Sequence, residues 1–107
     1  MMQITPTELA ARLKDGSSPA PVLLDVREPS EFNYCAIPGS ITMPMATVPA
    51  RQQELEPDAE IVVICHHGGR SMQVAMFLER QGFSRLLNLA GGVDQWAAQV
   101  DPSMPQY

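Results

Sequence analysis

No apolar run in the sequence approaches the roughly 20 residues that a membrane-spanning helix needs, so no helical span is expected and the membrane is not an expected partner. The N-terminus, MMQITPTELAARLKDG, lacks a basic region followed by an apolar stretch, so it carries no sign of a secretory signal. Basic residues are scarce. Seven Lys and Arg stand against twelve Asp and Glu, for a net charge of -5, which argues against nucleic acid or anionic lipid as the main partner. Cysteine is scarcer still. Cys35 and Cys65 sit in different contexts without metal-site spacing, which argues against a disulfide scaffold and makes a reducing, cytoplasmic compartment the expectation. Internal repeats and low-complexity segments are also missing.

What remains is ordinary globular material. The chain has 107 residues, 45% hydrophobic and 18% charged, enough for one domain over 1–107 and too little for two. QIT (3–5) reads as a short first strand. Thr5, Pro6 and Glu8 then form a capping box with proline at the first helical position. Leu9, Ala10 and Leu13 make one apolar face, and Gly16 is the expected stop. SSPAP (17–21) is a loop. VLLDVR (22–27) is a compact apolar strand of the kind covered on both faces. EPSEFNY (28–34) predicts a short helix with Phe32 inward. IPGSITMP (37–44) is a turn into a short strand, and 46–55 a short helix whose start Pro49 obscures. EIVVIC (60–65) is the clearest strand. A helix follows over 70–81, with Val74, Phe77 and Leu78 in helical spacing and Gly82 closing it. RLLNL (85–89) is a strand, 91–100 a helix carrying Trp96 as a packing anchor, and DPSMPQY an irregular tail.

This alternation predicts an α/β fold with a central, mostly parallel five-stranded sheet and helices on both faces. Ligands in such sheets bind at the carboxyl ends of the strands. Cys65 lies at one such end, and Asp25 and Arg27 lie at another. The stretch IVVICHHGGRSMQVAMFLERQGF therefore places a cysteine at a strand end, before a glycine-rich turn and a helix. One reading is a buried structural thiol. The other is a reactive thiolate, since a free thiol of pKa about 8.5 can be lowered to about 3.5–7.5 by a helix N-terminus or a cation. Gly68 and Gly69 allow backbone angles that let successive amides converge into an anion nest. Arg70 adds a permanent charge with several donors. Ser71 is expected either to cap the helix or to donate to a bound group. His66 and His67 read as exposed loop residues, with His66 a partial cation near the sulfur. Adjacent histidines rarely converge on one ion, so no metal is expected.

At this loop the chain resembles a single-domain rhodanese. LLDVREPSEF resembles the family's early strand and turn with its acidic-aromatic pair. IPGSITMP resembles its Ile-Pro-Gly-Ala segment, CHHGGRS its active-site loop, and FSRLLNLAGGVDQW its closing strand, double glycine and tryptophan. The motifs occur in order over roughly 3–107. The ending, GGVDQWAAQVDPSMPQY, also looks like the rhodanese domain fused to the ubiquitin-activating-like sulfurylases of molybdopterin and thiamine biosynthesis.

The resemblance implies a rhodanese-like single domain and a sulfurtransferase without cofactor. Cys65 would take sulfane sulfur from thiosulfate or a persulfide, hold it as a persulfide and pass it to a thiophilic acceptor, which could be a protein. The amides of 66–70 would stabilise the anionic sulfur, and Arg70 would hold an anionic donor. Cys65 and Arg70 enclose four residues, His66 to Gly69. Related phosphatases and arsenate reductases carry one more, so the shorter loop resembles the sulfurtransferase form; a non-catalytic binding module is the other alternative. The chain departs from the family at Cys35 and Ala36, where Gly-His is usual. Cys35 is either a small buried residue or a second thiol at the site. Two histidines also replace the basic loop residues typical of thiosulfate enzymes, so the loop's positive charge depends on pH. Asp25 and Arg27 are expected to pair and brace neighbouring loops. Met43, Met45, Met72 and Met76 read as adaptable core, some of them able to rim a pocket for a protein acceptor.

Overall fold

The structure is a computed structural model that describes residues 1–16 and 18–107; Ser17, read as part of the 17–21 loop, lies outside them. Among the described residues the elements run β1 (Met2–Ile4), α1 (Pro6–Lys14), β2 (Val22–Asp25), α2 (Pro29–Tyr34), β3 (Ile41–Thr42), α3 (Val48–Arg51), β4 (Glu60–Ile64), α4 (Gly69–Arg80), β5 (Arg85–Leu89) and α5 (Gly92–Gln99). The strands form one sheet in the order β1-β5-β4-β2-β3. Every pairing is parallel, so the expected mostly parallel sheet is wholly so.

β4 is the middle strand and explains the layering. Its apolar run has no polar face, which suits a strand buried on both sides. Successive side chains alternate. Ile61, Val63 and Cys65 join a core with Leu24, Val48, Val74, Ala75 and Leu78, under α3 and α4. Val62 and Ile64 join a second core with Leu9, Leu23, Val93, Trp96 and Ala97, under α1 and α5. Each fully buried aliphatic side chain contributes about 1.5–3 kcal/mol through removal from water.

Local chemistry sets the ends. The capping box forms as read: Thr5 Oγ1 accepts from the Glu8 amide at 3.2 Å, and Glu8 accepts from the Thr5 amide at 2.9 Å. α1 stops at Asp15, one residue before Gly16. Gly82, at φ +101°, closes α4. The Gly82 amide donates to Glu79 and the Phe83 amide to Leu78, each at 3.1 Å, as in a Schellman turn. The helix expected over 46–55 is instead a four-residue α-turn, Val48–Arg51, flanked by 3-10 turns at Met45–Thr47 and Gln52–Glu54. Pro49 occupies its first turn, where a missing amide costs nothing, and so starts the α-turn there. Phe32 is half-buried, short of the inward position expected. No helix among the described residues is long and apolar enough to cross a membrane.

The register decides where the site lies. Asp25 pairs with Ile64 across β2 and β4. The segments Val26–Arg27 and Cys65–Gly68 therefore leave the sheet side by side, at its carboxyl edge.

Candidate active site

Cys65 directly follows β4 and is 1% exposed. Its Sγ accepts the Gly68 amide at 3.0 Å. The thiol donates to Ser71 Oγ at 3.2 Å, and Ser71 passes its own proton in a short bond to Asn88 Oδ1. Asn88 Nδ2 donates to Gln3 Oε1 at 3.0 Å and to the Gly68 carbonyl at 3.3 Å, which fixes the orientation of the amide. Ser71 is thus not a cap. The α4 N-cap is Gly68, with no side-chain hydrogen bond, and Ser71, inside the first turn, points its hydroxyl back at the sulfur.

The loop's shape has two causes. Gly68 is left-handed at φ +106°, a conformation that L side chains rarely adopt. Gly69 has no positive φ, so only one of the two loop glycines uses that freedom. The second cause is α5. Its Val93 and Asp94 amides donate to the Cys65 and His66 carbonyls at 2.9 and 3.1 Å. Because trans peptides set N–H opposite C=O, fixing those carbonyls toward α5 turns the His66 and His67 amides away from it. The approach is possible because residue 92 is glycine at φ +59°; a Cβ there would collide with both carbonyl oxygens.

Arg70 does not stand free. Its two terminal nitrogens donate to the two carboxylate oxygens of Glu31 at 2.7 and 2.9 Å, a bidentate pair. Arg70 holds the Glu31 carboxyl down at about 2 against the upward push of partial burial, and the Tyr107 hydroxyl adds to the lowering. Tyr107 donates to Glu31 at 2.8 Å and accepts from Arg27 at 2.9 Å. Arg27 and Asp25 are wholly buried and paired at 2.7 Å, and Arg27 also donates to the Cys35 carbonyl at 2.6 Å. The chain Asp25–Arg27–Tyr107–Glu31–Arg70 therefore runs continuously along one side of the cysteine loop.

His67 is exposed, as expected, with Nδ1 3.9 Å from Asp94. His66 is not. It is half-buried and stacks on Tyr107, ring centroids 3.8 Å apart and planes within 2°. Burial first, and then the neighbouring His67, push its imidazole toward the neutral form. His66 therefore supplies less positive charge beside the sulfur than the sequence suggests. His66, His67 and Asp94 each offer a metal-ligand atom within 4.8 Å of the others. The two imidazole rings lie 3.8 Å apart between centroids, with their planes tilted by 32°.

The two thiols are unpaired and occupy opposite cores. Cys65 packs with the α3–α4 side and Cys35 with the α1–α5 side, its Sγ 3.9 Å from Arg27. Cys35 thus sits in the buried setting of the simpler alternative. Of the methionines, Met43 is buried and Met45 and Met76 line a shallow groove with Val48 and Phe77.

Sequence reasoning did not single out Glu31, Asn88 or Tyr107. Glu31 was visible as half of the acidic-aromatic pair; Asn88, a polar residue within an apolar strand, was the other available signal. Tyr107 closes a segment with no periodicity and gave none.

Comparison with known proteins places this geometry. A model of the rhodanese-like domain matches residues 5–99. A protein of Allochromatium vinosum named as a sulfurtransferase is 37% identical over 95 residues, which cover 89% of this chain and 87% of that one. The probable adenylyltransferase/sulfurtransferase MoeZ of Mycobacterium tuberculosis is 34% identical over 106 residues, 97% of this chain but 26% of the relative. This agrees with the resemblance at the C-terminal end. Curated relatives differ widely in length, and the chain spans from 22% to 87% of them. The crystal structure of a rhodanese-related protein from Thermoplasma volcanium superposes with a TM-score of 0.83 at 31% identity, covering 94% of each chain. On these grounds, and with its parallel sheet and strand-end cysteine loop, the chain belongs to the rhodanese-like domain family.

Proposed function

We propose that this protein is a sulfurtransferase in which Cys65 carries a sulfane sulfur as a persulfide. In the first step the Cys65 thiolate attacks the outer sulfur of a donor. With thiosulfate, the S–S bond breaks with both electrons leaving on sulfite, and a new S–S bond forms on Cys65. With a persulfide donor, the leaving group is the parent thiolate. In the second step a thiophilic acceptor, either a small molecule or a protein thiol, attacks the outer sulfur and regenerates the Cys65 thiolate. No electron is gained from or lost to an outside reagent in either step.

The observation that carries this reading is Gly68 N–H at 3.0 Å from Sγ, at the mouth of a loop whose amides are turned away from α5. An anion on either sulfur of the persulfide meets donors there without reorganisation. Ser71 would switch from accepting the thiol proton to donating toward the anion. Arg70 lies within Coulomb reach of Cys65, but its pairing with Glu31 leaves the loop amides as the main stabilisers of the anion. Relatives named as sulfurtransferases support the same chemistry, and the four-residue loop is small for a tetrahedral oxyanion. The cytoplasm, where thiols stay reduced, fits a persulfide carrier.

Cys65 is 1% exposed, the one feature that favours a non-catalytic binding module instead. Intact mass spectrometry separates the two. Brief exposure to thiosulfate or a small persulfide should add one sulfur atom to the parent and none to Cys65→Ser. No addition from any donor, together with slow alkylation of Cys65 at neutral pH, would reject the sulfurtransferase and leave the module.

A further inference from the structure

The arginine of this loop is already occupied, and that bears on which donors the site admits. Arg70 spends both terminal nitrogens on Glu31. Glu31 is held in place from behind as well, by the Tyr107 hydroxyl, which is itself fixed by buried Arg27 and its partner Asp25. Among the described residues that line the loop, each arginine is therefore matched by a carboxylate. Asp94 adds a further carboxylate beside His67, and Asp94 and Glu31 both act on His66. His66, stacked on Tyr107 and tilted against His67, favours its neutral form. The local charge balance is not positive, in a protein whose net charge is -5.

We infer that Glu31 is a specificity-determining residue: it neutralises Arg70 and so leaves the mouth of the Cys65 loop without a free cation, so that the site discriminates against dianionic sulfur donors such as thiosulfate and favours persulfides carrying little or no net charge. This rests on the sulfur-transfer reading. The discrimination is electrostatic and needs no steric exclusion. Thiosulfate brings two negative charges toward the thiolate; Glu31 cancels the cation that would offset them, and Asp94 and the net charge of -5 are left to oppose them. A persulfide whose carrier supplies a compensating amine meets neither penalty. The transfer itself is the same displacement: Cys65–S⁻ attacks the outer sulfur of R–S–S⁻, R–S⁻ departs with the electron pair of the broken bond and takes up a proton from water, and Cys65 is left as the persulfide anion.

The test compares two donors on the whole chain by timed intact mass of Cys65: thiosulfate, and the persulfide of 2-aminoethanethiol, whose charges cancel. In the parent, the aminoethyl persulfide should load faster, and the thiosulfate rate should rise with added salt as repulsion is screened. Glu31→Gln should raise the ratio of the thiosulfate rate to the aminoethyl persulfide rate about tenfold, the scale of removing one charge near a dianion in a solvent-accessible mouth. Glu31→Asp, which keeps the charge, should restore most of the parental ratio. A ratio unchanged by Glu31→Gln while both donors still load Cys65 would overturn this inference and leave the sulfurtransferase standing. A parental thiosulfate rate that falls with salt would overturn it without any variant. Loading by neither donor would take down both.

Discussion

Residue 92 gives the sharpest check on how the cysteine loop is held. Gly92 is left-handed at φ +59°, and a Cβ built there collides with the Cys65 and His66 carbonyl oxygens, which are backbone atoms and cannot swing aside. Gly82 is left-handed too, at φ +101°, but a Cβ there meets nothing within 4 Å. Alanine at either position pays the left-handed strain of about 1–2 kcal/mol. At 82 that is the whole cost. At 92 the loop must also retreat from α5, which weakens the Val93 and Asp94 hydrogen bonds to it at 2.9 and 3.1 Å. Two buried backbone bonds at about 1 kcal/mol each bring the total to about 3–4 kcal/mol. Differential scanning calorimetry should show Gly92→Ala melting lower than Gly82→Ala by at least about 8 °C, on a scale of about 4–8 °C per kcal/mol for a domain of this size. Sulfur loading on Cys65 should slow in Gly92→Ala alone, because retreat of the two carbonyls also turns the amides opposite them. Equal melting temperatures for the two variants would refute the claim that α5 shapes the loop.

Two further outcomes follow from the charge network. Asp25→Asn should lose about 3–5 kcal/mol in urea unfolding, since it leaves wholly buried Arg27 without its anion; a loss under 1 kcal/mol would mean that Tyr107 and the Cys35 carbonyl suffice to hold the guanidinium. The Glu31 carboxyl, lowered from the usual range to about 2 chiefly by Arg70, contributes stability that is fully present above about pH 4.5 and is lost as pH falls toward 2. The stability gap between the parent and Glu31→Gln should therefore be constant from pH 5 to 7 and close below pH 4, and a gap that persists at pH 2 would contradict the ion pair.

The elements were readable because their causes are local. Thr5, Pro6 and Glu8 cap α1 through contacts within four residues. The unbroken apolar run of β4 announces a strand covered on both faces, and its alternation yields both cores. Where a local cause was weak, the reading slipped. The 46–55 segment has Pro49 inside it and too few residues for a helix to outlast its own ends, so it breaks into an α-turn between two 3-10 turns. The position of Cys65 at a carboxyl edge followed from strand order alone, since any parallel sheet with β4 inside it puts that cysteine beside the end of a neighbouring strand.

The partners of the loop are another matter, and the reason is sequence distance. Glu31 lies 39 residues from Arg70 and Tyr107 lies 76 from Glu31. Neither separation leaves a periodicity, and an isolated glutamate on a short helix reads as solvated surface. What brings Glu31 to Arg70 is the sheet: β2 and β4 are adjacent and parallel, so α2 and the start of α4 emerge on the same edge. The same geometry turns a loop arginine that looks in sequence like a free anion receptor into half of an ion pair. A loop motif fixes which atoms are available for chemistry, but the charge that an approaching donor meets is set by whatever the neighbouring strand delivers beside it. The Glu31→Gln comparison therefore tests a residue on α2 that the loop motif does not contain.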